Sequence, residues 1–223
     1  MNPQMPISLV VFDLGRVLIR ICDGWRHACE VAGITVPAAR ALTPQSRATV
    51  DDICARYDSG VIDLECFAGE LGPIFGQSPE HVIAVQQVYL QGPYPGAADL
   101  IDDLSRAGVK TACLSNTAEP HWRMMNDPRG PNFLPLHRLT WRFASFLLGC
   151  RKPQEAIYQR VERETRIAGP SIVFFDDVEE NVAAAARRGW RAHQIRIDAD
   201  PIAQARRQLA AYGLIGRNGR ESL

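Results

Sequence analysis

Asp13, Ser115, Asn116, Asp176 and Asp177 each stand at the end of a short apolar run, which is where reactive groups can be held rigidly. The runs are Leu9-Val10-Val11-Phe12, Thr111-Ala112-Cys113-Leu114 and Ile172-Val173-Phe174-Phe175. Arg151 and Lys152 precede Pro153, a favoured opening for a helix. Several carboxylates brought into one crevice raise each other's pKa values, and a bound cation removes that penalty. Mg²⁺ is the hard ion commonly held by one or two carboxylates together with water and substrate phosphate. An Asp beside a metal and a positive charge can attack phosphorus and become an aspartyl-phosphate. Ser115 and Asn116, at a strand-to-helix turn, can hold phosphoryl oxygens, and Lys152 can neutralise Asp13 and the phosphoryl group.

These residues meet only if the right elements carry them. The three runs are β-branched or aromatic and do not alternate, the pattern of strands buried on both faces of a parallel sheet. Ala97, Leu100, Ile101, Leu104 and Ala107 have helical spacing and end at Gly108. Further helices are predicted from Pro153 and over Asn181–Arg188, with weaker strands over Trp141–Ala144 and His193–Ile197. This alternation is that of an α/β doubly wound domain, in which ligands bind beyond the carboxyl ends of the strands. Residues 22–90 read differently, as four helices in succession. They run over Trp25–Ala32, from Thr43-Pro44 to Tyr57, from Asp63 to before Gly72, and from Ser78-Pro79 to Leu90. Gln91–Gly96 reads as a return linker and Pro120–Pro135 as a long surface loop. The expected division is a core of residues 1–21 and 91–223 with a helical insert over 22–90.

Composition narrows the function classes. The 223 residues are 46% hydrophobic and 22% charged, which excludes disordered, collagen-like and coiled-coil chains. With 25 basic and 25 acidic residues the net charge is zero, which favours neither nucleic acid nor an anionic membrane as partner. No apolar run is long enough to span a bilayer, and Met1–Pro6 lacks the features of a secretory leader. The six cysteines form no C-x-x-C pair and no Cys/His metal spacing. The expectation is a cytoplasmic monomer or homodimer acting on a small molecule. Of the 25 basic residues, 23 are Arg and two, Lys110 and Lys152, are Lys. Lys152 is therefore conspicuous, because a compact ammonium fits between an Asp and a phosphoryl oxygen where a planar fork does not.

Four stretches, in order, resemble the haloacid dehalogenase superfamily of hydrolases. They are Phe12-Asp13-Leu14-Gly15-Arg16-Val17, Leu114-Ser115-Asn116-Thr117, Arg151-Lys152-Pro153, and Phe175-Asp176-Asp177 followed by Asn181. The resemblance implies a Rossmann-like core with a helical cap after the first strand. It also implies Asp13 as nucleophile, with Mg²⁺ held by Asp13, the Gly15 carbonyl and Asp177 and with Asp176 in support. Ser115, Asn116 and Lys152 would bind the phosphoryl group of a sugar phosphate or similar phosphomonoester. Gly15 departs from the family's phosphatase pattern, which has a second Asp there as general acid and base. Its loss puts about 10²–10⁴-fold of rate in doubt, unless water, substrate or a cap residue supplies the proton. The alternatives are a 2-haloacid dehalogenase, which needs no metal, and a catalytically impaired phosphate-binding protein. Asn181 is expected to bond Lys152 or to cap its own helix, Arg16 to be solvated, and Trp25, Tyr57 and Phe67 to be core.

Overall fold

Side chains of β1 (Leu9–Phe12) point alternately to two different cores. Val10 and Phe12 pack on one side and Leu9 and Val11 on the other, all fully buried, as a central parallel strand requires. The computed structural model describes residues 5–36 and 42–216, so most of the segment read above for a leader lies outside the described residues. After β1 the chain forms β2 (Ile19–Ile21) and four helices: α1 (Gly24–Val31), α2 (Pro44–Asp58), α3 (Leu64–Phe75) and α4 (Pro79–Val88). It returns through β3 (Leu90–Pro93), which pairs antiparallel with β2. Then follow α5 (Ala97–Arg106), β4 (Lys110–Ser115), α6 (Glu119–Asn126), β5 (Trp141–Ala144), α7 (Ser145–Leu148) and α8 (Glu155–Thr165). The series closes with β6 (Ile172–Asp176), α9 (Glu179–Arg187), β7 (Arg191–Gln194) and α10 (Pro201–Ala211).

The main sheet has the order β5-β4-β1-β6-β7, and every neighbouring pair is parallel. Helices cover both faces. Leu100, Ile101 and Leu104 of α5 and Ile202 and Leu209 of α10 pack with Val10 and Phe12. Ile157, Tyr158 and Val161 of α8 and Ala185 of α9 pack with Leu9 and Val11. This is the doubly wound α/β arrangement. The strands β1, β4 and β6 all end on the same edge, which places Asp13, Ser115 and Asp176 there.

Helices α1–α4 lie between the two ribbon strands and bury a cluster of their own that includes Ile53, Tyr57, Phe67, Leu71 and Val82. Ala118, in the turn after β4, joins that cluster, so the insert packs on the core at that edge. Among the described residues no helix is long and apolar enough to cross a membrane.

Several expected boundaries need correction. The segment Pro120–Pro135 is not an extended surface loop. It opens as α6, where Pro120 occupies an early helical position that needs no N–H bond, and it ends in the fully buried Leu134. The supposed linker after Leu90 is β3, and the Gly92 N–H donates to the buried Asn132 Oδ1 at 2.9 Å. Helix α3 continues past Gly72 to Phe75, because Phe67 and Leu71 continue one apolar face toward Phe75 and outweigh the interruption at Pro73. Helix α8 starts at Glu155, not Pro153, and α9 and β7 begin two residues earlier than predicted.

Candidate active site

Asp13 leaves β1 with its N–H donating to the Phe175 carbonyl at 2.8 Å, so its position is set by the sheet itself. The chain then turns back tightly, with Leu18 N–H bonded to the Leu14 carbonyl and Arg16 in the left-handed region at φ 56°. Gly15 is not in that region, and a Cβ there would meet only the Ile21 side chain at ordinary contact, 3.6 Å.

Lys152 joins two of the acidic positions. Its Nζ lies 2.8 Å from Asp13 Oδ1 and 2.6 Å from Asp176 Oδ2, with 1% of the side chain exposed. Burial opposes that charge, but the two carboxylates outweigh it and hold the ammonium above its ordinary pKa. Asp176 is fully occupied: Val178 N–H and Asn181 Nδ2 donate to its Oδ1 at 2.9 and 3.0 Å, and Asn181 also reaches Oδ2 at 3.2 Å. Asn181 thus orients Asp176 rather than Lys152. It is itself placed by α9, whose Asn181 carbonyl accepts the Tyr158 hydroxyl at 3.0 Å.

Asn116 turns its side chain away from the expected task. Its Nδ2 donates to the Lys152 carbonyl at 2.9 Å, and its Oδ1 accepts the Lys152 N–H at 2.8 Å. This reciprocal pair fixes the loop that presents the lysine. Ser115 is buried at the end of β4.

Asp13, Asp176 and Asp177 each offer an oxygen within 4.8 Å of the others. Burial, only partly offset by Lys152, pushes the Asp13 carboxyl up to about 7. Burial and then the neighbouring Asp176 raise Asp177 also. Lys152 balances one of the three charges, and Arg16 approaches Asp177 only at 3.7 Å. Hard oxygen donors with too few cations around them fit a divalent metal such as Mg²⁺.

Above this cluster opens a cavity of about 430 Å³ whose walls include Asp13, Gly15, Asn116, Lys152, Asp177 and the insert residues Tyr57 and Asp58. Ser115 and Asp176 stand outside those walls. A larger groove of about 820 Å³ between α3 and α6 contains none of the motif residues, and among the described residues its acids do not gather closely enough to share an ion. Three further residues take part, and of these Arg16 was expected to be solvated while Asp58 and Ser145 were given no role. Arg16 lines the cavity and pairs with Asp23 at 3.4 Å as well as with Asp177. Asp58, pushed up to about 6 by burial, pairs with Arg151 at 3.4 Å across the two halves. Ser145, fully buried, accepts from Thr117 N–H at 2.9 Å and donates to the Asp58 carbonyl at 2.5 Å. Only Arg16 carried a signal, its position three residues after Asp13.

The family model for haloacid dehalogenase-like hydrolases matches residues 7–189. The chain belongs to this family. Among relatives of the haloacid dehalogenase-like chain, Phosphatase MT3486 of Mycobacterium tuberculosis (strain CDC 1551 / Oshkosh) is 24% identical over 217 residues, covering 95% of this chain and 97% of the relative. Acyl-CoA dehydrogenase family member 10 of Mus musculus is 25% identical over 202 residues. That match covers 85% of this chain, which spans only 18% of the mouse protein. Solved structures share the fold. A HAD-like hydrolase from Porphyromonas gingivalis superposes with a TM-score of 0.71 at 23% identity, over 92% of this chain and 98% of that one. A HAD family enzyme of Bacteroides thetaiotaomicron, in complex with magnesium and inorganic phosphate, gives 0.66 at 20% identity, over 87% and 96%. The L-2-haloacid dehalogenase of Xanthobacter autotrophicus gives 0.58 at 20%, over 85% and 77%.

Proposed function

We propose that this hydrolase is a Mg²⁺-dependent phosphatase of small phosphomonoesters, working through an aspartyl-phosphate on Asp13. The observation that carries this reading is the convergence of Asp13, Asp176 and Asp177 within 4.8 Å of one another around one buried lysine. The phosphatase relative and the magnesium and phosphate complex of the structural neighbour support it.

In this reading residues 22–90 form a cap over a core of 1–21 and 91–223. Asp13, the Gly15 carbonyl and Asp177 would hold the metal. When bound, Mg²⁺ supplies positive charge to the phosphoryl oxygens and keeps the Asp13 carboxyl ionised. An Asp13 oxygen attacks phosphorus as the ester bond breaks, and the alcohol leaves. Water then attacks the aspartyl-phosphate, releasing phosphate and restoring the carboxylate. Lys152 neutralises Asp13 and the incoming phosphoryl group, while Asn181 and Asp176 hold Lys152 in place. Ser115 and Asn116 contribute at the phosphoryl end, Asn116 by fixing the Lys152 loop. Gly15 offers no proton to the leaving alcohol, so that proton comes from water, from the substrate, or from a cap residue.

A haloacid dehalogenase is the second reading, favoured by the glycine at position 15 and by the fold shared with L-2-haloacid dehalogenase. It attacks carbon and has no use for three clustered carboxylates. Phosphate release from a panel of phosphometabolites, with and without Mg²⁺ and with Asp13→Asn as blank, separates the two. Metal-dependent release is expected. Halide release from 2-haloacids that survives a chelator would overturn the phosphatase reading.

A further inference from the structure

The cavity over Asp13 has two unlike ends. Its floor is charged, with Asp13, Lys152 and Asp177, whereas the wall built by the inserted helices is mostly apolar, with Trp25, Val50, Phe67, Leu71, Phe75 and Val85 against the polar Tyr57, Asp58 and Gln86. Trp25 stacks on Phe75 with ring centroids 4.6 Å apart, and Tyr57 stacks on Phe67 at 4.1 Å, so stacked rings form part of that wall. Three of the residues around it carry a buried polar atom with no hydrogen-bond partner among the described residues: Trp25 Nε1, Tyr57 Oη and Arg151 Nε. All three residues line the cavity. Tyr57 is 5% exposed, and burial holds its hydroxyl well above the usual pKa, as a neutral donor. Buried donors are almost always paired in native proteins, so three orphans around one cavity mark where a ligand's acceptor belongs.

We propose that the leaving-group half of this cavity binds an apolar, ring-bearing alcohol that carries an oxygen acceptor for Tyr57 and Trp25. The substrate is then the phosphate ester of such an alcohol rather than of a sugar. This rests on the phosphatase reading above. A sugar would carry several hydroxyls against the apolar wall, and each one left unpaired there costs about 10-fold or more in binding. A ring with one ether or carbonyl oxygen gives up little water and satisfies the orphaned donors.

The test uses the wild-type enzyme with Mg²⁺ and four probes. Acetyl phosphate reports the chemistry alone. Phenoxyethyl phosphate, phenylpropyl phosphate and glucose phosphorylated on its primary hydroxyl all release primary alcohols and differ in the body. The expected order of kcat/KM is phenoxyethyl above phenylpropyl above glucose, with at least about tenfold between first and last. In Tyr57→Phe the advantage of phenoxyethyl over phenylpropyl shrinks. Glucose phosphate turned over as well as the ring esters, with acetyl phosphate hydrolysed, overturns the proposal and leaves the phosphatase reading standing. An unchanged phenoxyethyl-to-phenylpropyl ratio in Tyr57→Phe overturns the role of the orphaned donors. Failure on acetyl phosphate itself refutes the phosphatase reading and the proposal with it.

Discussion

Lys152 lies between two carboxylates in a space that solvent barely reaches. A guanidinium is larger and planar, and cannot keep both short contacts without moving the loop that Asn116 pins. Lys152→Arg should therefore lower kcat by about 10²-fold or more, and full activity in that variant would contradict the role given to the ammonium. Gly15 leads to the opposite kind of prediction. A Cβ at that position meets only ordinary contact with Ile21, so Gly15→Asp should fold and place a carboxyl near the leaving group. Turnover of alkyl phosphates should rise, up to about 10²-fold, while aryl phosphates with acidic leaving groups gain little. Equal effects on both classes would mean that proton supply is not what Gly15 lacks. The positions of Asp13 and the Asp176-Asp177 pair were legible in the sequence because each ends an apolar run, and Lys152 stood out as one of two lysines. The orientation of Asn116 was not, because its partner lies 36 residues away and no local spacing encodes that contact.

At the scale of elements, the main strands and the insert helices followed from apolar runs and capping signals, and four pieces did not, the short α7 among them. Helix α6 was hidden by Pro120, which reads as a breaker although it is compatible with a first helical turn. The β2–β3 ribbon is too short to show alternation, and its pairing is long-range. Helix α10 was not predicted, although Asp200 accepts from the Ala203 N–H at 3.0 Å to cap it. The packing of insert on core was equally invisible. Ser145, opening α7, ties the carbonyl at the end of α2 to the turn after β4. Ser145→Ala leaves a buried N–H and a carbonyl without this partner and should destabilise the protein by about 2 kcal/mol. Urea unfolding checks this. A change within about 0.5 kcal/mol would show that the tie contributes nothing.

For the whole molecule the 25 positive and 25 negative residues cancel, but Asp13 and Asp177 are not at their unfolded pKa values. Burial raises Asp13 from 3.8 to about 7, and raises Asp177 as well. A raised carboxyl means the folded state keeps a proton that the unfolded chain has released, so stability falls as pH rises between those two values. Lys152, held above 10.5, contributes stability that is lost only in strong alkali, outside this window. In the proposed mechanism Mg²⁺ would bind this cluster in its deprotonated form and so stabilise the fold by mass action. The gain in Tm on adding Mg²⁺ should therefore be small near about pH 5 and larger near about pH 8. An equal gain at both, measured by calorimetry, would place the metal away from these carboxylates.

The proposed mechanism requires a covalent phosphoryl group at Asp13. The direct measurement is acid-quenched single turnover with acetyl phosphate labelled in its phosphoryl group, followed by peptide mapping, in Mg²⁺ and in chelator. The expected result is label on the peptide that contains Asp13, formed only with Mg²⁺ and absent from Asp13→Asn. Turnover that leaves no label on that peptide, or label that forms equally well in chelator, would contradict it.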